Sequence, residues 1–386
     1  MMSGSVQRSA SRLVFAMTGA CAVPGGVSAV NLGILHALLE LQQERGFALK
    51  VMSYDEKAAD RPGFLPEEVP FRAYERNKLR FAVDLVRESV SRPLMLFDYV
   101  RLASPVLPLS ASGMLKTVVF AHGIEYWKDV RISDRWSLRF ADRVLTNSEY
   151  TLRRMQQANL RFRGTACPLG LSPGIPLNSR IPDPSPDRPM YRASDGHMRP
   201  LGNRVLLLVA RMNQSERYKG HYPLIRVLPE LLKRHPDTQL VFPGPGDDQE
   251  NLRAFADELG VGAHVFVPGF IALDELNQLY RNCYAFVMPS TCEGFGVVHL
   301  EAMNSGKPCV GCFDDGAEDV IVHEKTGYLL HDPEDATELF GVLDHLLQDS
   351  HRARKMGEAG FERLHEHFSA ERFKRRFKAE IAGYFS

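Results

Sequence analysis

Two carboxylates, Glu293 and Glu301, sit eight residues apart across a glycine-flanked turn in the run Met288-Pro-Ser-Thr-Cys-Glu-Gly-Phe-Gly-Val-Val-His-Leu-Glu-Ala-Met-Asn-Ser-Gly306. The apolar residues 284–288 predict a buried strand before the turn. Residues 297–303 predict the first turns of a helix, which Gly306 ends. A helix start leaves backbone N–H groups unpaired and so forms a ready anion site. Gly294 and Gly296 let a ligand approach the backbone around Phe295 closely, so that this turn presents N–H groups to a phosphate or a sugar. Eight helical residues rise ~12 Å, a length that suits a sugar beside one carboxylate and a ribose beside the other. A carboxylate suits a diol because it accepts two hydrogen bonds.

A second cluster supplies positive charge. Arg211 and Lys219 follow the apolar run 205–210 in Ala210-Arg-Met-Asn-Gln-Ser-Glu-Arg-Tyr-Lys-Gly-His221. A strand followed by a loop with cations and a glycine outlines a phosphate cradle, with Arg as a bidentate fork and Lys as a mobile point charge. Arg217 in the same loop could share or replace the role of Arg211. No Asp-x-Asp pair occurs anywhere in the chain, so no metal site is expected. The charge of a leaving diphosphate would then be met by side chains. In the first half, Thr117-Val-Val-Phe-Ala-His122-Gly123 places His122 at a strand end, where an imidazole could orient an acceptor hydroxyl or relay its proton. Val23-Pro-Gly25-Gly26-Val-Ser28 lies between the first strand and first helix. Asn147-Ser-Glu-Tyr-Thr151 reads as a capped helix start.

These residues need elements to hold them. Short apolar runs alternate with longer runs of 3.6-residue period, which is βα repetition and predicts parallel sheets covered on both faces. Strands are expected at 13–18, 49–53, 94–97, 117–121, 144–146, 205–210, 239–242, 264–267, 285–288 and 309–312. Helices are expected at 27–44, 78–89, 148–158, 222–234, 248–259, 274–281, 297–305, 335–348, 351–367 and 370–384. The proline-rich stretch around Ile181-Pro-Asp-Pro-Ser-Pro-Asp-Arg-Pro189 can hold neither a helix nor a central strand. The expected organisation is a disordered leader at 1–12, a first βα domain at 13–171, a linker at 172–203, a second βα domain at 204–368 and a final helix at 369–386.

The 386 residues are 44% hydrophobic and 24% charged with zero net charge, a soluble globular composition. Residues 1–170 carry 23 Lys and Arg against 16 Asp and Glu, and the rest carries the opposite excess. A basic first half suggests attraction to phosphate or to an anionic membrane. The cations Arg72, Arg76, Lys78 and Arg80, beside Phe71 and Phe81, are a candidate patch. The basic final helix is a second candidate, unless its apolar side packs on the protein. Arg8 and Arg12 before an apolar stretch mimic a signal peptide, but the stretch is short and reads as the first strand. The six cysteines need no disulfides, and Cys309-x-x-Cys312 lacks a second ligand pair, so structural thiols are expected.

The pattern Glu293-Gly-Phe-Gly-x-x-x-x-Glu301-Ala-Met, together with Arg211 and Lys219, resembles the retaining GT-B glycosyltransferases of family GT4. The resemblance implies two Rossmann-like βα domains facing across a cleft. It implies a retaining, metal-independent hexosyltransferase that moves mannose or another hexose from a UDP- or GDP-sugar, with no cofactor. Arg211 and Lys219 would grip the donor diphosphate, Glu293 the sugar hydroxyls and Glu301 the ribose. His122 would lie near the reacting sugar, and Gly25 and Gly26 would face the phosphate. The segment Val267-Pro-Gly-Phe270 would form the base-binding loop, and the last helix would cross back to the first domain. Asp314-Asp-Gly-Ala-Glu318 departs from the family's Gly-Gly-x-Pro-Glu. The implied partners are the donor and a glycan or polyprenyl-linked acceptor, with no nucleic acid. The implied setting is bacterial exopolysaccharide or lipopolysaccharide assembly in the cytosol, with peripheral contact to the cytoplasmic membrane. A nucleotide-sugar hydrolase or epimerase is the alternative. An NAD-dependent oxidoreductase is disfavoured, since no G-x-G-x-x-G follows the first strand, and a silent interaction protein would not need all four charged residues.

Overall fold

The structure is a computed structural model that describes residues 11–22, 25–127 and 130–385. The expected leader 1–12 lies almost wholly outside these residues, as do Val23 and Pro24 of the first glycine loop. The chain divides into two compact units, residues 1–174 with 370–386, and residues 175–369.

In unit 1 the elements are β1 (Arg12–Met17), α1 (Gly26–Arg45), β2 (Ala48–Ser53), β3 (Phe71–Ala73), α2 (Lys78–Ser89) and β4 (Leu94–Phe97). There follow α3 (Leu107–Ala111), β5 (Thr117–Ala121), α4 (Ile132–Phe140), β6 (Arg143–Thr146), α5 (Glu149–Gln157) and β7 (Gly164–Ala166). The seven strands are parallel in the order β3-β2-β1-β4-β5-β6-β7. β1 is central and Leu13 to Met17 are wholly buried, which fits a strand and not a cleaved leader. Sequence order reverses between β1 and β4, and ligands bind outside strand C-termini at such switch points.

Unit 2 begins earlier than the proline-rich stretch suggested. Its elements are β8 (Met190–Arg192), β9 (Met198–Pro200), β10 (Arg204–Leu207), α6 (His221–Arg234), β11 (Thr238–Pro243), α7 (Gln249–Glu258), β12 (Val265–Gly269) and α8 (Leu273–Asn282). Next come β13 (Ala285–Val287), α9 (Val297–Asn304), β14 (Cys309–Cys312), α10 (Ala317–Val320), β15 (Gly327–Leu330), α11 (Ala336–Gln348) and α12 (Ser350–His367). Six parallel strands run β12-β11-β10-β13-β14-β15, with the switch point between β10 and β13.

The expected linker 172–203 contributes residues 175–203 to unit 2. Its prolines keep it out of a strand ladder, and side-chain amides of unit 2 pair with its remaining backbone groups instead. Asn304 accepts from the Asn178 amide at 2.9 Å and donates to the Pro176 carbonyl at 2.9 Å. Asn282 accepts from the Ser185 amide at 2.8 Å. β8 and β9 form an antiparallel hairpin beside β12, bridged through Ala193 and Phe266.

The last helix, α13 (Ala370–Ala382), belongs to unit 1 and packs on α1. Phe373, Phe377 and Ile381 are buried, and Gly33 of α1 makes room for the Phe373 ring. Lys378 pairs with Glu40 at 2.9 Å and Glu44 at 2.8 Å, and Arg143 with Glu380 at 2.8 Å. Both sides of this basic helix are therefore in use.

Candidate active site

The loops after β10 and β13, the two strands at the unit 2 switch point, carry the predicted charges. Three contacts zip them together. The Thr291 amide donates to the Tyr218 carbonyl at 3.2 Å. Gly220, at φ 93°, lies where a Cβ would come 2.5 Å from the Pro289 ring. Lys219 Nζ donates to Glu293 Oε1 at 2.7 Å, and both side chains are largely buried, at 12% and 19% exposure. The structure thus brings together two residues that the sequence offered for different ends of the donor. A lysine has three donors, so this pair leaves Nζ able to bridge a carboxylate and a phosphate.

Arg211 is 60% exposed and bonds Glu216 at 2.7 Å. Arg217 does not replace it. Its guanidinium is bidentate to the buried Asp248, at 2.7 and 2.6 Å, and stacks on Tyr222. Asp248 leads into α7, so Arg217 anchors the 3-10 turn Gln214–Lys219 to the body of unit 2. The segment Pro243-Gly-Pro-Gly246 supports Arg211 from below. The Met212 amide bonds the Pro245 carbonyl at 2.8 Å. A Cβ on Gly244 or Gly246 would strike the Ala210 or Met212 carbonyl oxygen. Two glycines in a proline-flanked run after a strand were the sequence signal for this close approach.

The turn before α9 differs from a continuous helical span. Helix begins only at Val297, so about four residues separate its start from Glu301, a rise of ~6 Å. Gly296 caps it at φ 77°, where a Cβ would meet His299 Nδ1 at 2.7 Å. His299 is wholly buried, with its pKa lowered to about 4 by burial, and bonds the Gly296 carbonyl at 3.1 Å. Phe295 is an anchor, 2% exposed and edge-on to Phe368. What this residue offers a ligand is backbone. Glu301 is held by the hydroxyl of buried Tyr280 at 2.9 Å, a partner absent from the sequence reading.

The departure at Asp314-Asp315 has a clear role. Asp315 is 1% exposed. It accepts from the Glu293 amide at 2.7 Å and the Ala317 amide at 3.0 Å. Burial, then the Glu293 charge, push its pKa well up, while the two backbone amides it accepts from act in the opposite direction. The Gly316 amide returns a bond to the Glu293 carbonyl at 2.9 Å. Asp314 takes φ 53°, and its amide bonds Glu318 at 3.0 Å. Asp315→Ala would strand two buried amides, at a cost of about 1–3 kcal/mol, and loosen the Glu293 turn. We expect roughly tenfold lower kcat for Asp315→Ala, and only partial recovery in the isosteric Asp315→Asn, whose single carbonyl oxygen can accept one of the two amides. Melting curves and initial rates check this, and a fully stable, fully active alanine variant would refute it.

In the expected base loop, Val267 is 2% exposed and its carbonyl accepts from Arg253 at 2.5 Å, so its side chain serves the core. Phe270, 73% exposed, is the residue there with apolar surface to offer.

Unit 1 gathers buried polar groups at the C-terminal ends of β1, β2, β4 and β5. Asp98 accepts from Thr18 and from Asn31 Nδ2 at 2.6 Å, and burial raises its pKa to about 6. His122 Nδ1 bonds the Asp98 backbone, and burial lowers the imidazole to about 4, so it is neutral with Nε2 as an acceptor. Among the described residues, His122 Nε2, Asn31 Oδ1 and Glu56 Oε2 are buried without a hydrogen-bond partner. Glu56, unforeseen in the sequence, receives the amides of Ala20 at 2.8 Å and Cys21 at 2.5 Å through Oε1. The amides just before the glycine loop are thus engaged by a carboxylate of the chain itself. Gly25 is extended, at φ 167°, and Gly26 opens α1, each with nothing within 4 Å of a would-be Cβ.

Cys309 and Cys312 are both buried in β14. Among the described residues no group of three or more His, Cys, Asp or Glu is placed to hold a metal, and no helix is long and apolar enough to cross a membrane.

Comparison with known proteins fits this geometry. The family model described as glycosyl transferases group 1 matches residues 194–363. The GDP-mannose-dependent alpha-(1-6)-phosphatidylinositol monomannoside mannosyltransferase of Mycolicibacterium smegmatis is 32% identical, over 80% of this chain and 81% of its own length. The D-inositol 3-phosphate glycosyltransferase of Corynebacterium jeikeium is 29% identical, over 61% of this chain and 59% of its own. Among solved structures, sucrose-phosphate synthase from Thermosynechococcus elongatus has a TM-score of 0.76 at 20% identity, covering 97% of this chain and 99% of that one. Anabaena HepE, solved with UDP and glucose, has a TM-score of 0.72 at 18% identity, covering 97% and 100%. These similarities in fold match the two Rossmann-like halves expected of GT-B.

Proposed function

The chain belongs to the glycosyl transferases group 1 family and is a nucleotide-sugar glycosyltransferase, and from that premise we propose that it transfers a hexose with retention of anomeric configuration to a lipid-linked or glycan acceptor. The observation that carries this reading is the Lys219–Glu293 pair at the switch point of unit 2. Mannose from GDP-mannose is the first donor to test, because the mycolicibacterial relative is named for it, and UDP-glucose is the second. Lys219 and Arg211 meet the diphosphate, Glu293 the sugar hydroxyls and Glu301 the ribose diol. His122 Nε2 accepts a hydroxyl hydrogen at the acceptor or sugar. The bond from C1 to the diphosphate oxygen breaks as the acceptor oxygen bonds C1 from the same face. The acceptor proton passes to the departing diphosphate. The setting we propose is assembly of a bacterial surface polysaccharide or glycolipid.

Charge on the leaving group is met by Lys219 and Arg211 without an essential metal, a reading that rests on the lack of any Asp-x-Asp. Thermal shift against a panel of nucleotide-sugars identifies the donor, since a ligand at a hundred times its Kd stabilises by ~2.7 kcal/mol. We then expect transfer to persist in EDTA, with the anomeric configuration of the product, read by NMR, equal to that of the donor. Loss in EDTA that added metal restores, or an inverted product, would overturn the corresponding part. Release of free sugar at full rate without acceptor would favour the hydrolase.

A further inference from the structure

Most of the exposed large apolar residues of unit 1 lie on α2, α4 and the turn after α3, with Val27 and Phe64 apart from them at α1. α2 is apolar on two opposite sides. Phe81 and Leu85 face the core, at 2% and 0% exposure, which removes Phe81 from the patch suggested by sequence. Leu79, Val83, Val86 and Val90 are 76%, 41%, 42% and 77% exposed. At about 100° per residue they share a sector of roughly 60° and a length of ~16 Å. The outward side of a surface helix is ordinarily polar, so this stripe calls for a partner.

α4 repeats the pattern one turn apart, with Ile132 at 75% and Trp136 at 44% exposure. The crossovers β3 to β4, β4 to β5 and β5 to β6 all advance the same way along the sheet. Their right-handedness puts α2, α3 and α4 on one face. α2 and α4 both pack on the 3-10 segment Val100–Val106. Between them Met114, 45% exposed, follows α3, and the Arg92 guanidinium reaches its sulfur at 3.9 Å.

The rim of this face is basic. Arg80 and Arg87 flank the α2 stripe, and Arg131, Arg135 and Arg139 line α4, all exposed. Arg139 lies 5.4 Å over the Trp136 ring. The acids of these helices are already paired. Asp84 and Asp134 are buried against Arg72 and Arg101, and Glu88 holds Arg12 and Lys50. Arg87 shares Asp84 at 3.4 Å, which leaves the other rim arginines in excess over the acids. Aliphatic stripes with an aromatic and an excess of arginines are complementary to acyl chains beneath anionic headgroups. The other basic amphipathic helix, α13, has its apolar side buried within unit 1.

We infer that the α2–α4 face of unit 1 docks on an anionic phospholipid surface. This deepens the glycosyl-transfer reading by placing the enzyme where a lipid-linked acceptor lies, and it rests on that reading only for its purpose.

Sedimentation with phosphatidylglycerol and with phosphatidylcholine vesicles, without nucleotide or acceptor, tests it. The protein should bind the anionic vesicles alone and release in high salt. Val83→Asp/Val86→Asp/Val90→Asp should weaken binding about tenfold or more. Arg80→Ala/Arg131→Ala should weaken it by about fivefold for each cation removed. All these side chains face solvent, so melting temperature and nucleotide binding by calorimetry should be unchanged. Equal binding by both variants and the parent, equal binding to neutral vesicles, or no binding at low salt would overturn the inference. So would a dimer that the aspartate variant abolishes, since a second copy would then be the occupant. Vesicle binding that survives while no sugar transfer is found would sink the proposed function and leave this surface standing.

Discussion

Lys219→Ala is expected to lower kcat/KM by ~10²-fold or more, the usual effect of removing one preorganised donor to developing charge. The geometry argues for the upper part of that range. Lys219 is 12% exposed and its ammonium sits 2.7 Å from Glu293. Without it, Glu293 stands beside the buried Asp315 with no neutralising charge and faces an incoming diphosphate with its own negative charge. Part of the defect should therefore be repulsion, and removing that charge should relieve it. Lys219→Ala/Glu293→Gln should be less impaired than the product of the two single effects, because residues in direct contact are not additive. Lys219→Arg should rescue little, since a planar fork cannot reproduce a compact ammonium held between two loops. Arg211→Ala should cost less than Lys219→Ala, because Arg211 is 60% exposed and screened by solvent. Initial rates with donor varied at saturating acceptor give these numbers. A fully active Lys219→Ala, or strictly additive effects in the pair, would show that the ion pair is not part of the donor site.

The parallel strands were legible because both of their faces are buried, so they read as unbroken apolar runs. Leu94–Phe97, Thr117–Ala121 and Cys309–Cys312 appear with the expected bounds. Strands missed from the sequence lie at edges or are short. Phe71–Ala73 carries an arginine, Gly164–Ala166 opens on glycine, and Met190–Arg192 with Met198–Pro200 is a half-exposed hairpin. α4 escaped because its exposed side bears Ile132 and Trp136, which blurs the amphipathic period. At the candidate site, residue types and loops could be read, but their pairing could not. Lys219 and Glu293 are 74 positions apart, and only the β10–β13 adjacency joins them. Asp315, Tyr280 and Glu56 act through burial and partners, which no local pattern reports. Arg217 looked equivalent to Arg211 because charge alone does not reveal that Asp248 already holds it.

The two carboxylates of the turn and helix should separate binding from chemistry. Glu301 lies on α9, one of its oxygens fixed by the Tyr280 hydroxyl at 2.9 Å. Tyr280 is buried and has no freedom to follow a displaced partner. A carboxylate so held can accept both hydroxyls of a ribose, and hydrogen bonds to a charged group are worth about 1.5–3 kcal/mol each. Glu301→Ala should then weaken binding of the free nucleoside diphosphate by ~10²-fold. Tyr280→Phe keeps the carboxylate but frees its orientation, so its effect should fall between wild type and Glu301→Ala. Glu293 precedes the helix, is paired with Lys219 and would meet the sugar, which the free diphosphate lacks. Glu293→Ala should leave diphosphate affinity within about threefold while lowering kcat by ~10²-fold or more, the scale of a group whose interaction is realised in the transition state. Calorimetry with UDP and GDP, set beside transfer rates for the same three variants, decides the assignment. If Glu293→Ala abolishes diphosphate binding and Glu301→Ala leaves it intact, the roles are exchanged. The sugar would then lie along α9, and the ribose at the loops joined by Lys219.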